Sequence, residues 1–134
     1  MEKKTLNVCI TGAAGQIGYS LIPLIASGEM FGHDQPIELR LLDIAPAMVL
    51  LNGSVMEIQD CAYPVVKAVK AGADPKEMFK DLDVGLFVGG FPRKEGMERK
   101  DLIAKNCNIF KEQGLALNEV GKTTSIKHWH NFFL

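Results

Sequence analysis

Apolar and polar positions along this chain fall into blocks that read alternately as strand and helix. Residues 6 to 11 (LNVCIT) form a short, β-favouring apolar run that stops at Gly12, which predicts a buried strand. From Gln16 to about Ser27, Ile17, Leu21, Ile22, Leu24 and Ile25 recur at helical spacing, and Gly28 fits a helix end. Pro23 is expected to kink that helix or end it early, because proline inside a helix removes a donor and clashes with the preceding turn. Residues 37 to 43 (IELRLLD) predict a second strand, and Pro46 fits the first turn of a helix running to about Asp60. A third strand is expected over 65 to 72. Asp74 and Pro75 suit the cap and first position of a short helix through Phe79. Residues 84 to 90 (VGLFVGG) predict a further strand. Glu98 to about Gly114 carries Leu102, Ile103, Ile109 and Phe110 at helical spacing.

Strands and helices that alternate with short connections predict a parallel α/β sheet joined by right-handed crossovers. No internal repeat or low-complexity segment interrupts the pattern, and no domain boundary is visible before the last few residues.

The glycines at the first strand-to-helix junction bring in chemistry. GAAGQIG places Gly12, Gly15 and Gly18 where a tight turn, a close backbone approach to phosphate and a close helix-sheet contact each need a missing side chain. The first N–H groups of the helix then have no internal partner and point outward, where an anion fits. The pyrophosphate of a dinucleotide fits this turn, although the spacing is GxxGxxG and a merely tight structural turn is the simpler alternative. Asp43, ending the second strand, can accept hydrogen bonds from both adenosine ribose hydroxyls and would repel a 2′-phosphate, which favours NAD over NADP. It can also be an ordinary helix-capping aspartate before Pro46.

The stretch FPRKEGMERKD follows the 84 to 90 run. Arg93 and Arg99 there present planar forks suited to a carboxylate, in a segment that Pro92 and Gly96 mark as a mobile loop. A solvated, charge-rich surface explains the same residues equally well.

Composition narrows the classes. The chain has 134 residues, one domain's worth, with 15 basic and 16 acidic residues and a formal net charge of -1. No polybasic run stands out, which argues against nucleic acid and anionic membranes as partners. The 47% hydrophobic content suits a globular domain. Cys9, Cys61 and Cys107 are scattered and form no CxxC, so buried thiols in a reducing compartment are expected, with no zinc site. The start MEKKTLNVCITG is too short and broken in its apolar part for a signal peptide. No run approaches the roughly 18 apolar residues of a membrane span. A cytoplasmic location is the expectation.

VCITGAAGQIGYSL, IELRLLDI, MEIQDCAYP, KDLDVGLFVGGFPRKEGMERKDL and IFKEQG occur in this order and closely resemble the amino-terminal part of cytosolic-type malate dehydrogenase, over residues 5 to about 127. The resemblance implies a Rossmann-type parallel sheet with helices on both faces, over 1–127, ending before a catalytic domain. It implies NAD as cofactor, malate or oxaloacetate as substrate, and a homodimer. It assigns Gly12, Ala13, Ala14, Gly15, Gln16, Ile17 and Gly18 to the pyrophosphate and Asp43 to the ribose. Asn106 and Gln113 are placed near the cofactor. Arg93 grips the far carboxylate and Arg99 helps polarise the carbonyl as the loop closes.

The likeness stops after SIK, residues 125 to 127, and HWHNFFL follows. The family's proton-transferring histidine, its partner aspartate and a third arginine have no counterpart, so this chain alone is expected to be inactive. His128 and His130 are tempting as acid or metal ligands, but no acid stands beside the pair, and residues 128–134 read as an aberrant apolar tail. Without a proper fifth strand, the edge of the preceding one is expected to lie open, which together with Trp129, Phe132, Phe133 and Leu134 predicts self-association. Two other classes compete. A short-chain dehydrogenase or epimerase needs a YxxxK pair, which Tyr63 and Lys67 supply with Pro64 wrongly between them. A non-catalytic nucleotide-binding module would keep the fold without the chemistry.

Overall fold

A computed structural model describes residues 3–123 and 126–129. Five strands form one parallel sheet in the order β3-β2-β1-β4-β5. β1 is Leu6–Thr11, β2 Ile37–Leu42, β3 Val66–Gly72, β4 Val84–Phe87 and β5 Ile126–Trp129. The helices are α1 Gln16–Ala26, α2 Met48–Cys61, entered through a 3-10 turn at Ala45–Ala47, α3 Pro75–Met78 and α4 Arg99–Val120. The chain thus steps outward from β1 to β3, then returns across the sheet to β4.

Central parallel strands are covered on both faces, so they are apolar throughout. β4 is buried at every position, and β1 and β2 nearly so. One face packs Val8, Ile10, Leu39 and Leu41 against Ile22, Ile25, Leu51 and Ile58 of α1 and α2. The other packs Cys9, Leu42 and Phe87 against Met78, Phe79, Leu82, Ala116 and Leu117, from α3, the turn after it and α4. β3, at the edge, is only partly buried.

Four expectations are corrected here. α1 does not end early at Pro23 but runs on to Ala26. Pro23 and Tyr19, whose carbonyl loses its partner, both lie on the exposed side, where water can replace the missing donor. α4 passes Gly114 by six residues, because Ala116 and Leu117 continue its buried face, and ends at Gly121, whose backbone is extended. The edge of β4 is not open. β5 pairs with it in parallel register, Val84 with Ile126 through Phe87 with Trp129, and includes two residues read from sequence as tail. His130, Phe132, Phe133 and Leu134 lie outside the described residues, as do the side chains of His128 and Trp129. The thiols also divide differently. Cys9 is buried, its pKa pushed up to about 12 by burial against the opposing pull of Arg40 and Lys70, whereas Cys61 and Cys107 are exposed.

Two charged groups hold the frame. Arg40, 5% exposed, projects from β2 onto the α3 side. Its Nε bonds Glu38 at 2.8 Å, and its Nη1 donates to the carbonyls of Met78 and Lys80, which close the end of α3. At the amino ends of the strands, Asp83 accepts the Asn7 N–H at 2.9 Å and the Lys122 ammonium at 2.6 Å, just ahead of β5. Burial would raise the Asp83 pKa, but the Asn7 N–H, Lys122 and Lys4 outweigh it and hold the carboxyl below its ordinary 3.8. A folded-state pKa below the unfolded one gives stability that is complete above the unfolded value and is lost as pH falls through the folded one. Replacing Asp83→Asn should therefore cost about 1.5–3 kcal/mol at neutral pH. Urea unfolding should show the substituted chain losing less of its remaining stability than the parent between about pH 5 and pH 2.

Candidate functional site

The strand order reverses at β1, which sends one connection toward β2 and has β4 on its other side. Ligands of open parallel sheets bind at such a reversal, beyond the carboxyl ends of the strands. β1 and β4 end level, Thr11 beside Phe87, so the segments after them leave from the same place.

There the two backbones touch. A Cβ on Gly12 would stand 2.3 Å from Gly89 Cα, and one on Gly89 would stand 2.8 Å from Gly12 N. Thr11 Oγ1 accepts the Gly89 N–H at 3.3 Å. Gly12 is also left-handed, at φ 65°. It therefore needs glycine twice over, for the turn and for the neighbour. Gly18, buried in the first turns of α1, lies against the same residue, its absent Cβ 2.3 Å from Gly12 O and 2.7 Å from Ala13 Cα. The Gly15 N–H bonds the Gly12 carbonyl at 3.0 Å.

This compact turn delivers the start of α1 to the crevice, exposed among the described residues. Gly15 is the cap residue, no side chain caps the helix, and its first turn holds no acid. Gly15, Gln16 and Ile17 are exposed, while Ala13 is buried and Ala14 half-buried. Free N–H groups and a positive helix end suit a phosphate group.

Asp43, just past β2, faces this turn. Its Oδ2 accepts the Ala14 N–H at 2.9 Å and its Oδ1 accepts the Ile44 N–H at 2.8 Å. It does not cap the following helix. The 3-10 turn is capped by Ile44 and α2 by Ala47, neither with a side-chain bond. A carboxylate has about four acceptor positions, so two N–H bonds leave capacity for hydroxyl donors.

Residues 88–98 form the loop between β4 and α4. Met97 N–H bonds the Lys94 carbonyl at 3.1 Å, closing a turn in which Gly96 takes φ 78°. Arg93 and Arg99 are both exposed, Arg99 as the first residue of α4. The neighbouring lysines are engaged: Lys100 pairs with Glu98 at 2.7 Å, and Lys94 and Lys105 lie over the Phe91 ring. Among the described residues, neither arginine side chain has an ion pair or a hydrogen bond.

On α4, Asn106 and Gln113 stand seven residues apart, two turns along one face. Asn106 is buried, and its Oδ1 accepts the Phe91 N–H at 2.6 Å. Asn106 Nδ2 and Gln113 Oε1 are buried without partners among the described residues. Buried polar atoms are rarely left so, and an orphaned donor and acceptor on one face suit a polar ligand.

The structure thus gathers Gly12–Gly18 and Asp43 at one wall of the crevice. Arg93, Arg99 and Asn106 belong to the loop and helix that leave β4 at the other. Thr11, Phe91 and Lys105 were not singled out from sequence, and Gly89 was read only as a residue that, with Gly90, gives the loop after the apolar run its freedom. The Tyr63 and Lys67 pair is not a site: Tyr63 lies in the turn before β3 and packs on the core, and Lys67 is a residue of β3, at the amino ends of the strands. No group of three His, Cys, Asp or Glu among the described residues could hold a metal.

Residues 6–131 match the NAD-binding domain of lactate/malate dehydrogenase. Among solved structures, malate dehydrogenase from Naegleria fowleri superposes with a TM-score of 0.91 at 38% identity, over 95% of this chain and 39% of that one. Lactate dehydrogenase from Trichomonas vaginalis, in complex with NADH and oxamate, gives 0.84 at 47% identity, over 91% of this chain and 37% of that one. A leucine-to-arginine variant of the Trichomonas vaginalis enzyme, in apo form, gives 0.86 at 46%, over 95% and 37%. The chain spans less than two fifths of the length of each.

The glycine contact makes a differential prediction. Gly89→Ala drives a methyl into immovable backbone and should destabilise the chain by about 1–3 kcal/mol. It should also weaken NADH binding at least tenfold, read by fluorescence titration. Gly114→Ala, inside α4 where a Cβ meets nothing within 4 Å, should instead stabilise by about 0.5–1 kcal/mol and leave NADH binding unchanged.

Proposed function

This chain belongs to the lactate/malate dehydrogenase family through its NAD-binding domain, and on that premise we propose that it is the cofactor-binding part of a malate dehydrogenase. The observation that carries the choice of a diacid is the pair of uncommitted arginines, Arg93 in the loop and Arg99 at the head of α4, beside lysines that are otherwise engaged.

When bound, NAD exchanges a hydride with the carbon bearing the hydroxyl or keto group. On this reading the turn from Gly12 to Gly18 holds its pyrophosphate through the uncapped N–H groups of Gln16, Ile17 and Gly18 at the start of α1, and Asp43 accepts from the adenosine ribose. Asn106 and Gln113 contribute their unpartnered amide atoms. Arg93 grips the carboxylate far from the reacting carbon, with two parallel hydrogen bonds that a lactate-like monoacid cannot offer. Arg99, at the head of α4, lies over the substrate and draws charge toward the carbonyl oxygen.

A lactate enzyme is the second reading, favoured by the higher identity to the Trichomonas vaginalis lactate dehydrogenase. Fold and overall identity are weaker guides than the groups in the site. A buried or closed-over arginine left without its carboxylate is costly, which is how such a loop discriminates. A nucleotide-binding module without catalysis remains the non-enzymatic alternative, and predicts NADH binding with no response to either acid.

Reducing a ketone also requires a proton at its oxygen. His33 lies in the loop before β2, at the amino ends of the strands, away from Arg93 and Arg99. No described side chain near the loop is an obvious donor, so the chain by itself is proposed to bind both ligands with little or no turnover. Exposed Val49, Leu50 and Met56 on α2, and Tyr19 and Leu24 on α1, support pairing with a second copy. Exposed free thiols at Cys61 and Cys107 support a reducing, cytoplasmic setting.

With NADH saturating, calorimetric titration should find oxaloacetate bound more tightly than pyruvate. Arg93→Gln should weaken oxaloacetate about tenfold or more, the value of a lost charged hydrogen-bond pair, and leave pyruvate unchanged. Equal binding of the two acids, or indifference to Arg93→Gln, would overturn the diacid reading. The rate of NADH oxidation with oxaloacetate should fall below that of an intact dehydrogenase by at least the roughly 10²–10⁴ that a general acid supplies.

A further inference from the structure

The arginine loop is fastened at its root by groups to which the ligand-binding reading gives no such task. Phe91 gives its backbone N–H to Asn106 Oδ1 at 2.6 Å. The Phe91 ring lies 4.1 Å from the Lys105 ammonium, measured to the ring centroid, with Lys94 Nζ at 5.5 Å. Lys105 and Asn106 are consecutive on α4, so one turn of the helix holds both the backbone and the ring of one loop residue.

A long side chain resting on a ring can be incidental. Two features argue otherwise. Asn106 is buried and bonds the backbone of Phe91, so the ring is presented at a fixed place and the lysine has only to settle on it. Phe91 is itself half-buried, and a cation over an aromatic face gains strength as water is excluded.

The next two residues are Pro92 and Arg93. Proline fixes its own φ near −65°, and two residues span at most about 7 Å. Few soft angles therefore separate the anchored residue from Arg93, whereas the Gly96 turn lies beyond it. The loop has a held root and a freer tip, with Arg93 at the boundary. We infer that Phe91, Lys105 and Asn106 form a latch that sets where Arg93 is presented, with Phe91 and Lys105 as positioning residues. That role rests on reading the loop as an acid clamp. The fastening itself does not depend on it.

The test is amide hydrogen exchange of Phe91 by NMR on this chain, with and without NADH. Lys105→Met keeps the aliphatic stem and removes the charge, so exchange at Phe91 should quicken about fivefold with the melting temperature unchanged. Lys105→Arg should restore the parent rate. Phe91→Leu, which removes the ring, should quicken exchange at the same amide as much. With NADH present, Lys105→Met should weaken oxaloacetate severalfold without changing NADH affinity. An unchanged rate in Lys105→Met, or no recovery in Lys105→Arg, would overturn the latch. The exchange measurements contain no acid substrate, so the latch can fail while oxaloacetate is still preferred, and the preference can fail while the latch holds.

Discussion

The carboxyl side of this sheet depends on one contact, the backbone of Gly12 against the backbone of Gly89. β1 and β4 are neighbours, and the connections that follow them must diverge from one spot. Strands about 4.8 Å apart leave no room for side chains between two loops that both turn at once. A Cβ on either residue would fall within 3 Å of the other's backbone, and backbone cannot rotate away as a side chain can. With both residues bare, Gly12 swings the chain toward Asp43, and Gly89, steadied by Thr11, releases the loop that carries Arg93. The glycine-turn wall and the arginine-loop wall of the crevice are thus set beside each other by the same two residues.

Much of this was legible in the sequence because the determinants were local. Leu6–Thr11 is a strand with the predicted ends, Asp74 caps α3 through the Lys76 N–H as its pairing with Pro75 implied, and the strand-helix alternation gave the parallel sheet. The glycine turn and Asp43 were found for the same reason. What could not be read was set by distant partners. Pro23 is tolerated because of which side of α1 it falls on. α4 outlasts Gly114 because Ala116 and Leu117 meet Met78 and Phe79 across the sheet face. β5 forms on the edge of β4, where Lys122 is held by Asp83 and the Ile126 N–H bonds the Asp83 carbonyl. Gly89 read from sequence only as a glycine that frees a loop, since its need for a missing side chain exists only once Gly12 lies beside it.

The two ends of the sheet differ in how completely their polar groups are used, and that difference locates function better than any single residue. At the amino ends, Asn7, Asp81, Asp83 and Lys122 satisfy one another through backbone and side chain. At the carboxyl ends, the first N–H groups of α1 carry no cap, Arg93 and Arg99 carry no partner among the described residues, and the buried Asn106 Nδ2 stands unpaired among them. Each unmet group costs stability, on the order of 1–3 kcal/mol for a buried one. A fold selected for stability alone would quench them, as it has at the other end. Donors outnumber acceptors among these groups, so what completes them must be anionic and rich in acceptors. The pyrophosphate of NAD meets that description, and Asp43, the acid at this end, keeps acceptor positions open for hydroxyl groups.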